Sequence, residues 1–350
     1  MRMKSVIKQQ RQSCRRRKTL LQPIIGLLLL GLCSITASMA QTHNEPGVLS
    51  DGAMIVDVFT RDPEVISILR RELDVWGLDR SKNSVVVYLP QGNTALLDDL
   101  GLRWQLSTQR MQRAQTPRAA ISGPGSIAGF PCYRTVEQTF ADLAALAAAN
   151  PQIAAWIVIG DSWEKQQGLG GFDIHALVLG NQQITALADL VIIAAMHARE
   201  YATAELATRF AEQLINGYDT DADSTWLLDH YRVHIIPQLN PDGRKIAEQP
   251  ATAFKRKNHN ADFCPTSAPV NNGIDLNRNS SVLWKFGSVG SSGNPCDWTF
   301  RGPTPTSEPE TAAIEAYIDQ VFADARPGNP EDLNIAAPTD TPGLFISIHS

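Results

Sequence analysis

Residues 190–200 read LVIIAAMHARE, and this stretch decides the fold class that the sequence predicts. Its apolar part, Leu190 to Met196, has the near-continuous pattern of a strand buried on both faces of a sheet. His197 follows directly, at the carboxyl end, where sheets of α/β proteins gather functional groups. A second apolar run, Leu344 to Ile348, leads to His349 in the same way. The sequence therefore predicts two buried strands that bring two histidines to one edge of a sheet.

Similar apolar runs alternate with amphipathic segments through the larger part of the chain. The predicted strands are 153–160, 172–180, 190–197, 231–239 and 344–350, and the predicted helices are 135–150, 203–217 and 307–322. Such alternation is typical of a sheet that is covered by helices. We therefore predict an α/β fold with a mixed, largely parallel sheet and helices on both faces.

A smaller α/β unit precedes this part. Its predicted strands are 54–60, 84–90 and 103–107, and its predicted helices are 62–78 and 93–101. Asp62 and Pro63 favour a helix start, because aspartate caps helices and proline fits the first helical position. Gln, Arg, Gly and Pro then become frequent, as in an exposed linker. The predicted domains are a small α/β domain at 41–108, a linker at 109–128 and a larger domain at 129–350.

The first forty residues have the pattern of a secretory signal peptide. They carry eight positive charges and no negative charge, then the apolar run IIGLLLLGL and a Ser38-x-Ala40 cleavage site. The alternative is a membrane anchor, but the apolar run is shorter than the roughly 18 residues that a spanning helix needs. We therefore predict a signal peptide at 1–40, a secreted or periplasmic protein, and no membrane attachment after cleavage.

The charge of the remaining chain limits its partners. The net charge of −5 becomes −13 once those eight positive charges are set aside. A body this acidic argues against nucleic acid or an anionic membrane surface as a partner. The sequence leaves the oligomeric state open.

A metal site is the chemistry that the strand-end histidines suggest. Glu200 follows His197 by three residues, where the chain turns into a helix, so both side chains can point at one spot. With His349 the set is two imidazoles and one carboxylate, which is the ligand set of many catalytic zinc sites. The alternative is chance, because H-x-x-E alone is a weak signal. His175 and His234 lie mid-strand and are predicted to be ordinary structural histidines.

Six motifs occur in a fixed order: HARE (197–200), IIPQLNPDG (235–243), FKRKN (254–258), GIDLNRN (273–279), RGPTPTSEPET (301–311) and FISIHS (345–350). In this order they resemble the zinc carboxypeptidases of the carboxypeptidase A type, over about residues 129–350. The resemblance implies that family's α/β fold and an enzyme that hydrolyses C-terminal residues from peptides and proteins.

The resemblance also implies roles for the residues around the metal. His197, Glu200 and His349 would be the ligands of one zinc ion, Zn2+. Asp275 would hydrogen-bond to His197, fix its tautomer and raise its basicity. Without the resemblance, Asp275 could equally be a turn residue.

Four further residues would contact the substrate. Arg256 would stabilise the oxyanion that forms when water adds to the scissile carbonyl. Asn277 and Arg278 would bind the terminal carboxylate, for which the planar fork of arginine is well suited. Arg199 would add a weaker contact. The alternatives are a solvated loop cation for Arg278 and a basic surface run for Arg256 with its flanking lysines, and the NPDG segment (240–243) is predicted to be a structural turn.

The resemblance also implies a disulfide pairing and a role for the small unit. After signal cleavage three cysteines remain, and the resemblance implies a disulfide between Cys264 and Cys296 that brackets the GIDLNRN motif. Cys132 would then be unpaired or bonded elsewhere. The small unit resembles the pro-domain of many family members, and the arginines of the following linker would be sites for a protease.

We expect an exported zinc metallocarboxypeptidase. The family continues past the third ligand, with a capping tyrosine, a side-chain pocket and the glutamate that acts as general base. None of these can be assigned here, because the sequence ends at Ser350. Glu308 and Glu310 are poor substitutes for the general base, since they open a predicted helix. The expectation from sequence is therefore a truncated chain that is inactive or impaired. Two alternatives stay open: a non-catalytic homologue that binds zinc and peptide, and a metallopeptidase acting on murein peptides.

Overall fold

The computed structural model of the chain describes residues 49, 52–89, 94–115, 125–184, 188–264, 270–285, 290–328, 332 and 335–350. The predicted signal peptide at 1–40 lies outside these residues. Pro46–Ser350 forms one compact unit. Among the described residues, every helix is too short or too polar to cross a membrane.

In chain order the strands are β1 (Met54–Phe59), β2 (Asp74–Asp79), β3 (Ser84–Leu89), β4 (Trp104–Leu106), β5 (Ser126–Ile127), β6 (Phe130–Arg134), β7 (Ala154–Asp161), β8 (Asp173–Leu179), β9 (Ala188–Ile193), β10 (Tyr231–Ile236) and β11 (Leu344–Ser347). The α-helices are α1 (Pro63–Glu72), α2 (Ala95–Asp99), α3 (Thr108–Gln115), α4 (Val136–Ala149), α5 (Trp163–Gln166), α6 (Tyr201–Gly217), α7 (Ala222–His230), α8 (Pro241–Ala247) and α9 (Pro309–Val321). Short 3-10 helices occupy Pro250–Thr252 and Leu276–Arg278.

The small unit is a four-stranded antiparallel sheet in the order β2-β3-β1-β4. The predicted helix at 62–78 is wrong in its second half, because α1 ends at Glu72 and β2 follows. Leu73 is already extended, with φ −122° and ψ 166°. Pairing with β3 decides this boundary, and a helical pattern along the chain cannot reveal such a long-range contact.

The predicted linker at 109–128 is also partly wrong. Its first part belongs to the helix α3, and β5 lies near its end. Arg110 in α3 forms ion pairs with Asp57 at 3.4 Å and Asp79 at 3.5 Å, which fix the helix on the small sheet. Residues 116–124 lie outside the described part of the chain.

The large sheet has five described strands in the order β11-β9-β10-β8-β7. β9 pairs in parallel with both β10 and β11, whereas β8 pairs antiparallel with β10 and with β7. The predicted mixed α/β sheet is therefore confirmed, with two parallel and two antiparallel pairings among these strands.

Different helices cover the two faces of the large sheet, as predicted. α4, α6 and α7 pack on one face, where Ile192 of β9 is buried. α9 packs on the other face, against Val191 and Ile193 of the same strand. Because side chains alternate along a strand, a run of apolar residues fills both cores at once. The sequence prediction omitted α7.

The parallel pair β9–β11 positions the two histidines. Ser347 pairs with Ile193, so the carboxyl ends of the two strands meet at the same edge. The prediction that both strands are buried is wrong for β11, because it is the edge strand of the five described strands and all four of its residues are exposed. His197 lies four residues beyond the end of β9 rather than at its last position, because Ala195 takes a left-handed φ of 52° and turns the chain. The observed strand β9 thus ends at Ile193, four residues before the end of the predicted strand at 190–197.

The predicted turn at 240–243 is the start of α8, which corrects the sequence prediction. The Asn240 side chain caps this helix and accepts a hydrogen bond from the backbone N–H of Gly243 at 3.0 Å. Pro241 occupies the first helical position, where its missing N–H costs nothing. A Cβ at Gly243 would lie 2.6 Å from the carbonyl oxygen of Lys257, so only glycine allows this close approach.

Candidate metal centre

His197, Glu200 and His349 converge on one point, as predicted. Nδ1 of His197 lies 2.7 Å from Oε1 of Glu200, and Nδ1 of His349 lies 3.2 Å from both Nδ1 of His197 and Oε2 of Glu200. The three potential ligand atoms lie within 4.8 Å of one another. His197 and Glu200 are buried, whereas one third of the His349 side chain is exposed.

This donor set fits zinc. Tetrahedral zinc with ligands at 2.0–2.2 Å places its donor atoms about 3.3–3.6 Å apart. The two separations of 3.2 Å lie close to this range, and the third, 2.7 Å between His197 and Glu200, is shorter because these two groups hydrogen-bond directly to each other. Two imidazole nitrogens and a carboxylate are also the usual protein ligands of a catalytic zinc.

The turn after β9 directs both ligands of the HARE motif inward. The backbone N–H of Ala195 donates to Oγ1 of Thr203 at 3.0 Å, and the N–H of Glu200 donates to the carbonyl of His197 at 3.1 Å. Glu200 stands at the N-cap of α6, yet its side chain makes no capping hydrogen bond. The carboxylate therefore faces the histidines instead of capping α6.

Hydrogen bonds keep Glu200 ionised. Burial alone raises the pKa of its carboxyl group, but the hydrogen bonds from His197 and His349 outweigh burial and lower the pKa to about 2. The carboxylate is therefore an acceptor at neutral pH, which is the form that a metal ion requires.

Asp275 lies behind His197, where the resemblance places it. Its Oδ1 is 3.3 Å from Nε2 of His197, and its Oδ2 accepts from Nε and Nη2 of Arg256 at 3.2 and 3.1 Å. Burial raises the pKa of Asp275, but the charge of Arg256 and the contact with His197 hold it well below its usual range. An ionised Asp275 can only accept, so Nε2 of His197 is the donor in this contact, and Nδ1, which faces Glu200 and His349, is the nitrogen that would bind a metal.

Arg256 reaches the ligand cluster from the same side. Its Nη1 lies 3.3 Å from Nδ1 of His197, and the side chain is buried. The two flanking lysines are buried as well: Lys255 donates to Asn272, and Lys257 donates to the carbonyls of two residues in the 295–297 loop. The alternative of a basic surface run is therefore wrong.

Asn277 and Arg278 lie in the 3-10 helix directly after Asp275. The backbone N–H of Asn277 donates to Oδ1 of Asp275 at 3.0 Å, and its side chain is exposed. Arg278 donates to the carbonyl of Gly290 at 2.6 Å and to that of Asn277 at 2.8 Å. The structure thus brings both residues next to the Asp275–Arg256 pair, with Arg278 held by backbone oxygens.

Asp74 of the small sheet is a residue that the sequence interpretation missed. It forms an ion pair with Nη2 of Arg199, and its other oxygen lies 3.9 Å from Nη1 of Arg256. The guanidinium of Arg199 also lies 5.0 Å from the ring of Trp298 and 5.4 Å from that of Tyr88. A carboxylate of the small unit therefore stands between two arginines at the candidate site. No sequence pattern indicated this role for Asp74, because the residue lies inside the predicted helix at 62–78.

Other predicted residues have partners away from the ligand cluster. His234 contacts Tyr317 at 2.6 Å and Asp189 at 3.0 Å, and His175 stacks on Trp156, so both have structural contacts. Glu308 accepts hydrogen bonds from the amides of two asparagines, and Glu310 accepts one from the backbone N–H of residue 163. That neither glutamate replaces the general base stays a prediction.

The cysteines agree with the sequence prediction in one respect. Cys264 and Cys296 form a disulfide, with their Cα atoms 4.8 Å apart, and the bond brackets the GIDLNRN motif. Cys132 is disulfide-bonded too, so of the two alternatives, unpaired or bonded elsewhere, the first is wrong.

Comparisons with known proteins agree with this geometry. Residues 140–350 match the family model described as zinc carboxypeptidase. Carboxypeptidase A2 of mouse (Mus musculus) is 26% identical over 287 residues, which are 76% of this chain and 65% of the relative. Carboxypeptidase A1 of pig (Sus scrofa) is 27% identical over 80% of this chain and 62% of the relative. The chain thus spans less than two thirds of the length of either relative.

The fold is shared with solved carboxypeptidases. The crystal structure of the carboxypeptidase A from Helicoverpa armigera superposes with a TM-score of 0.62 at 21% identity, covering 87% of this chain and 71% of that one.

Proposed function

The chain belongs to the zinc carboxypeptidase family, and from that membership we propose that it is a zinc-dependent metallocarboxypeptidase acting on peptide C-termini. The single observation that carries the proposal is the convergence of His197, Glu200 and His349 within 4.8 Å. Zinc held by these residues would supply a Lewis acid for the scissile carbonyl.

The residues around the cluster have distinct tasks in this proposal. Asp275 holds His197 in the tautomer that binds metal, and it also holds Arg256 in place through two hydrogen bonds. Arg256 faces the cluster and can donate to an oxyanion that forms next to it. Asn277 and Arg278 lie at the rim, where they would bind the terminal carboxylate of a peptide.

The contact of Asp74 supports a carboxylate site at these arginines. A side-chain carboxylate is already held by Arg199 and faces Arg256, at a place with little solvent. Charged hydrogen bonds between guanidinium and carboxylate are among the strongest that proteins make. A peptide with a free C-terminus offers the same chemical group, and an amidated peptide does not.

We further propose that the small sheet, β1–β4, covers the site until it is displaced. Glu72 accepts a hydrogen bond from the N–H of Gly290, whose carbonyl binds Arg278, so two acidic residues of this unit reach the substrate-binding side. Cleavage between residues 109 and 128 would release the unit. Arg113 is exposed there, whereas Arg110 is held by ion pairs.

Export is the last part of the proposal. It is supported by the signal-peptide pattern of residues 1–40 and by the disulfide between Cys264 and Cys296, since such bonds persist in oxidising compartments. Fractionation of the producing cells would locate the mature protein, and recovery of the full chain with an intact N-terminus from the cytosol would contradict export.

The function is tested by release of the terminal amino acid from a peptide with a free C-terminus. The amidated peptide is the control for the substrate, and a zinc chelator is the control for the metal. His349→Ala should abolish both zinc binding and release, whereas His230→Ala, an exposed histidine of α7, should change neither.

Three other results would change the assignment. Zinc and peptide binding without release would agree with the expectation of an inactive or impaired chain, and it would favour the non-catalytic homologue if a chain of the relatives' full length also released nothing. Release from murein peptides alone would favour the cell-wall peptidase. Release that the chelator leaves unchanged would contradict a zinc enzyme.

A further inference from the structure

Arg244 of α8 is a fully buried cation that no functional role yet explains. Its Nη1 donates to the carbonyl of Ala198 at 3.3 Å, and its Nη2 donates to the carbonyl of Tyr201 at 3.5 Å. The guanidinium also lies 4.3 Å from the centre of the Tyr201 ring. Burial lowers the pKa of Arg244 to about 10, so the group remains charged at neutral pH.

The two carbonyls have a particular place in the sequence. Ala198 directly follows the ligand His197, and Tyr201 directly follows the ligand Glu200. One guanidinium therefore spans the turn that carries two of the three candidate ligands. Its donors lie in a fixed plane, so they set the orientation of both peptide groups together.

α8 holds the same turn at two further points. The side chain of Asn240 donates to the carbonyl of Met196 at 3.1 Å. The hydroxyl of Tyr201 donates to the carbonyl of Ala247 at the other end of the helix. The turn is thus fixed before, within and after the HARE motif by a single short helix.

The same helix also links the turn to the candidate oxyanion residue. The backbone N–H of Ala198 donates to the carbonyl of Arg256 at 3.0 Å, and Asn240 reaches that carbonyl at 3.5 Å. Movement of the turn would therefore move the backbone of Arg256 with it.

Packing alone does not require a charge at this position. Among the described residues Arg244 forms no ion pair, and its polar partners are backbone carbonyls. A buried cation without a direct ion pair is costly even with the charges of Glu205 and Glu248 acting on it, and a neutral side chain of similar length often packs equally well. A neutral side chain would lack the two N–H groups with which Arg244 binds the carbonyls of the ligand turn.

We propose that Arg244 is a positioning residue that holds the His197–Tyr201 turn in its ligand-binding conformation before a metal binds. The identity of that metal as zinc rests on the proposed function, but the preorganisation of the turn does not.

The first test is hydrogen exchange of the metal-free protein, followed by mass spectrometry. Arg244→Met removes the charge and the donors at similar length. It should raise the exchange rate of the 196–202 segment about tenfold or more and leave β8 unchanged. Arg209→Met, at an exposed arginine of α6, is the matched control and should alter neither segment.

The second test is zinc affinity, measured by competition with a chromophoric chelator. Arg244→Met should weaken zinc binding by about 10–100-fold, as is usual when a group that supports a ligand is removed. Arg244→Lys keeps a charged donor for one carbonyl and should recover part of the loss.

The outcomes separate the proposal from its alternatives. Equal exchange of the 196–202 segment in wild type and Arg244→Met would overturn the positioning role. An equal rise in exchange across that segment and β8 would also overturn it, because it would indicate a role in global stability alone. If the wild type binds no zinc, the proposed function fails, while the local exchange result still decides the role of Arg244.

Discussion

Replacing Asp275 with asparagine should destabilise the metal-free protein strongly. Asp275 is fully buried, and its Oδ2 accepts two hydrogen bonds from the guanidinium of Arg256. In Asp275→Asn the side chain loses its charge. An amide NH2 in place of Oδ2 would face two donors, and the opposite rotamer would present the NH2 to Nε2 of His197. Arg256 would remain buried without its nearest carboxylate in either case, and only the more distant Asp74, at 3.9 Å, would still face it.

The size of the effect follows from these contacts. Removing one partner of a buried ion pair costs about 3–5 kcal/mol, because the remaining charge stays desolvated. The hydrogen bond to His197 adds a separate effect on the metal site. Loss of a group that orients a ligand histidine weakens metal binding by about 10–100-fold, or roughly 1.4–2.7 kcal/mol.

Urea denaturation of the metal-free protein measures the first effect, and chelator competition measures the second. Asp324→Asn, at a solvent-exposed ion pair, is the matched control and should change the free energy of unfolding by no more than about 0.5 kcal/mol. A loss below about 1 kcal/mol for Asp275→Asn would contradict this prediction, since it would mean that Arg256 finds another partner or reaches water.

Three further predictions concern the small unit, the pH and the disulfide. Asp74→Asn should free the arginines that this carboxylate contacts and tighten binding of a peptide with a free C-terminus about tenfold, as measured by calorimetry with an amidated peptide as control. Burial raises the pKa of Glu310 to about 8 and that of Asp242 to about 6, so the folded state holds protons that the unfolded state has lost. The free energy of unfolding should therefore fall as pH rises from about 5 to 8, and Glu310→Gln should flatten that fall; a stability that rises over this range would count against these shifts. Replacing Cys264 and Cys296 together with serine should cost about 3–4 kcal/mol, from the loop entropy of their 32-residue separation, and an unchanged melting temperature would argue against that role.

The sequence predicted the large sheet and the candidate ligands well, for a physical reason. Strands buried on both faces must be apolar throughout, so runs such as 190–196 stand out, and a polar residue that follows them is placed at the sheet edge. The ordered motifs then supplied Asp275 and Arg256. The structure brings these residues within hydrogen-bonding distance of one another and of His197.

Contacts between distant segments could not be predicted in this way. β2 reads as the end of a helix until its pairing with β3 is known, and Asp74 was overlooked for that reason. Lys255 and Lys257 looked like surface cations. The backbone carbonyls that accept their hydrogen bonds lie in loops, and no sequence pattern predicts that these loops pack against the lysines. Arg244 stood next to a predicted turn, and only the packing of α8 under the HARE motif gives it a partner.

The most direct test of the central claim is the zinc content and affinity of the purified chain. We expect one zinc per chain, with binding lost in His197→Ala and His349→Ala and retained in the exposed control His230→Ala. A wild-type chain that binds no zinc, or alanine variants that bind it as tightly as the wild type, would contradict the assignment of His197, Glu200 and His349 as a metal centre.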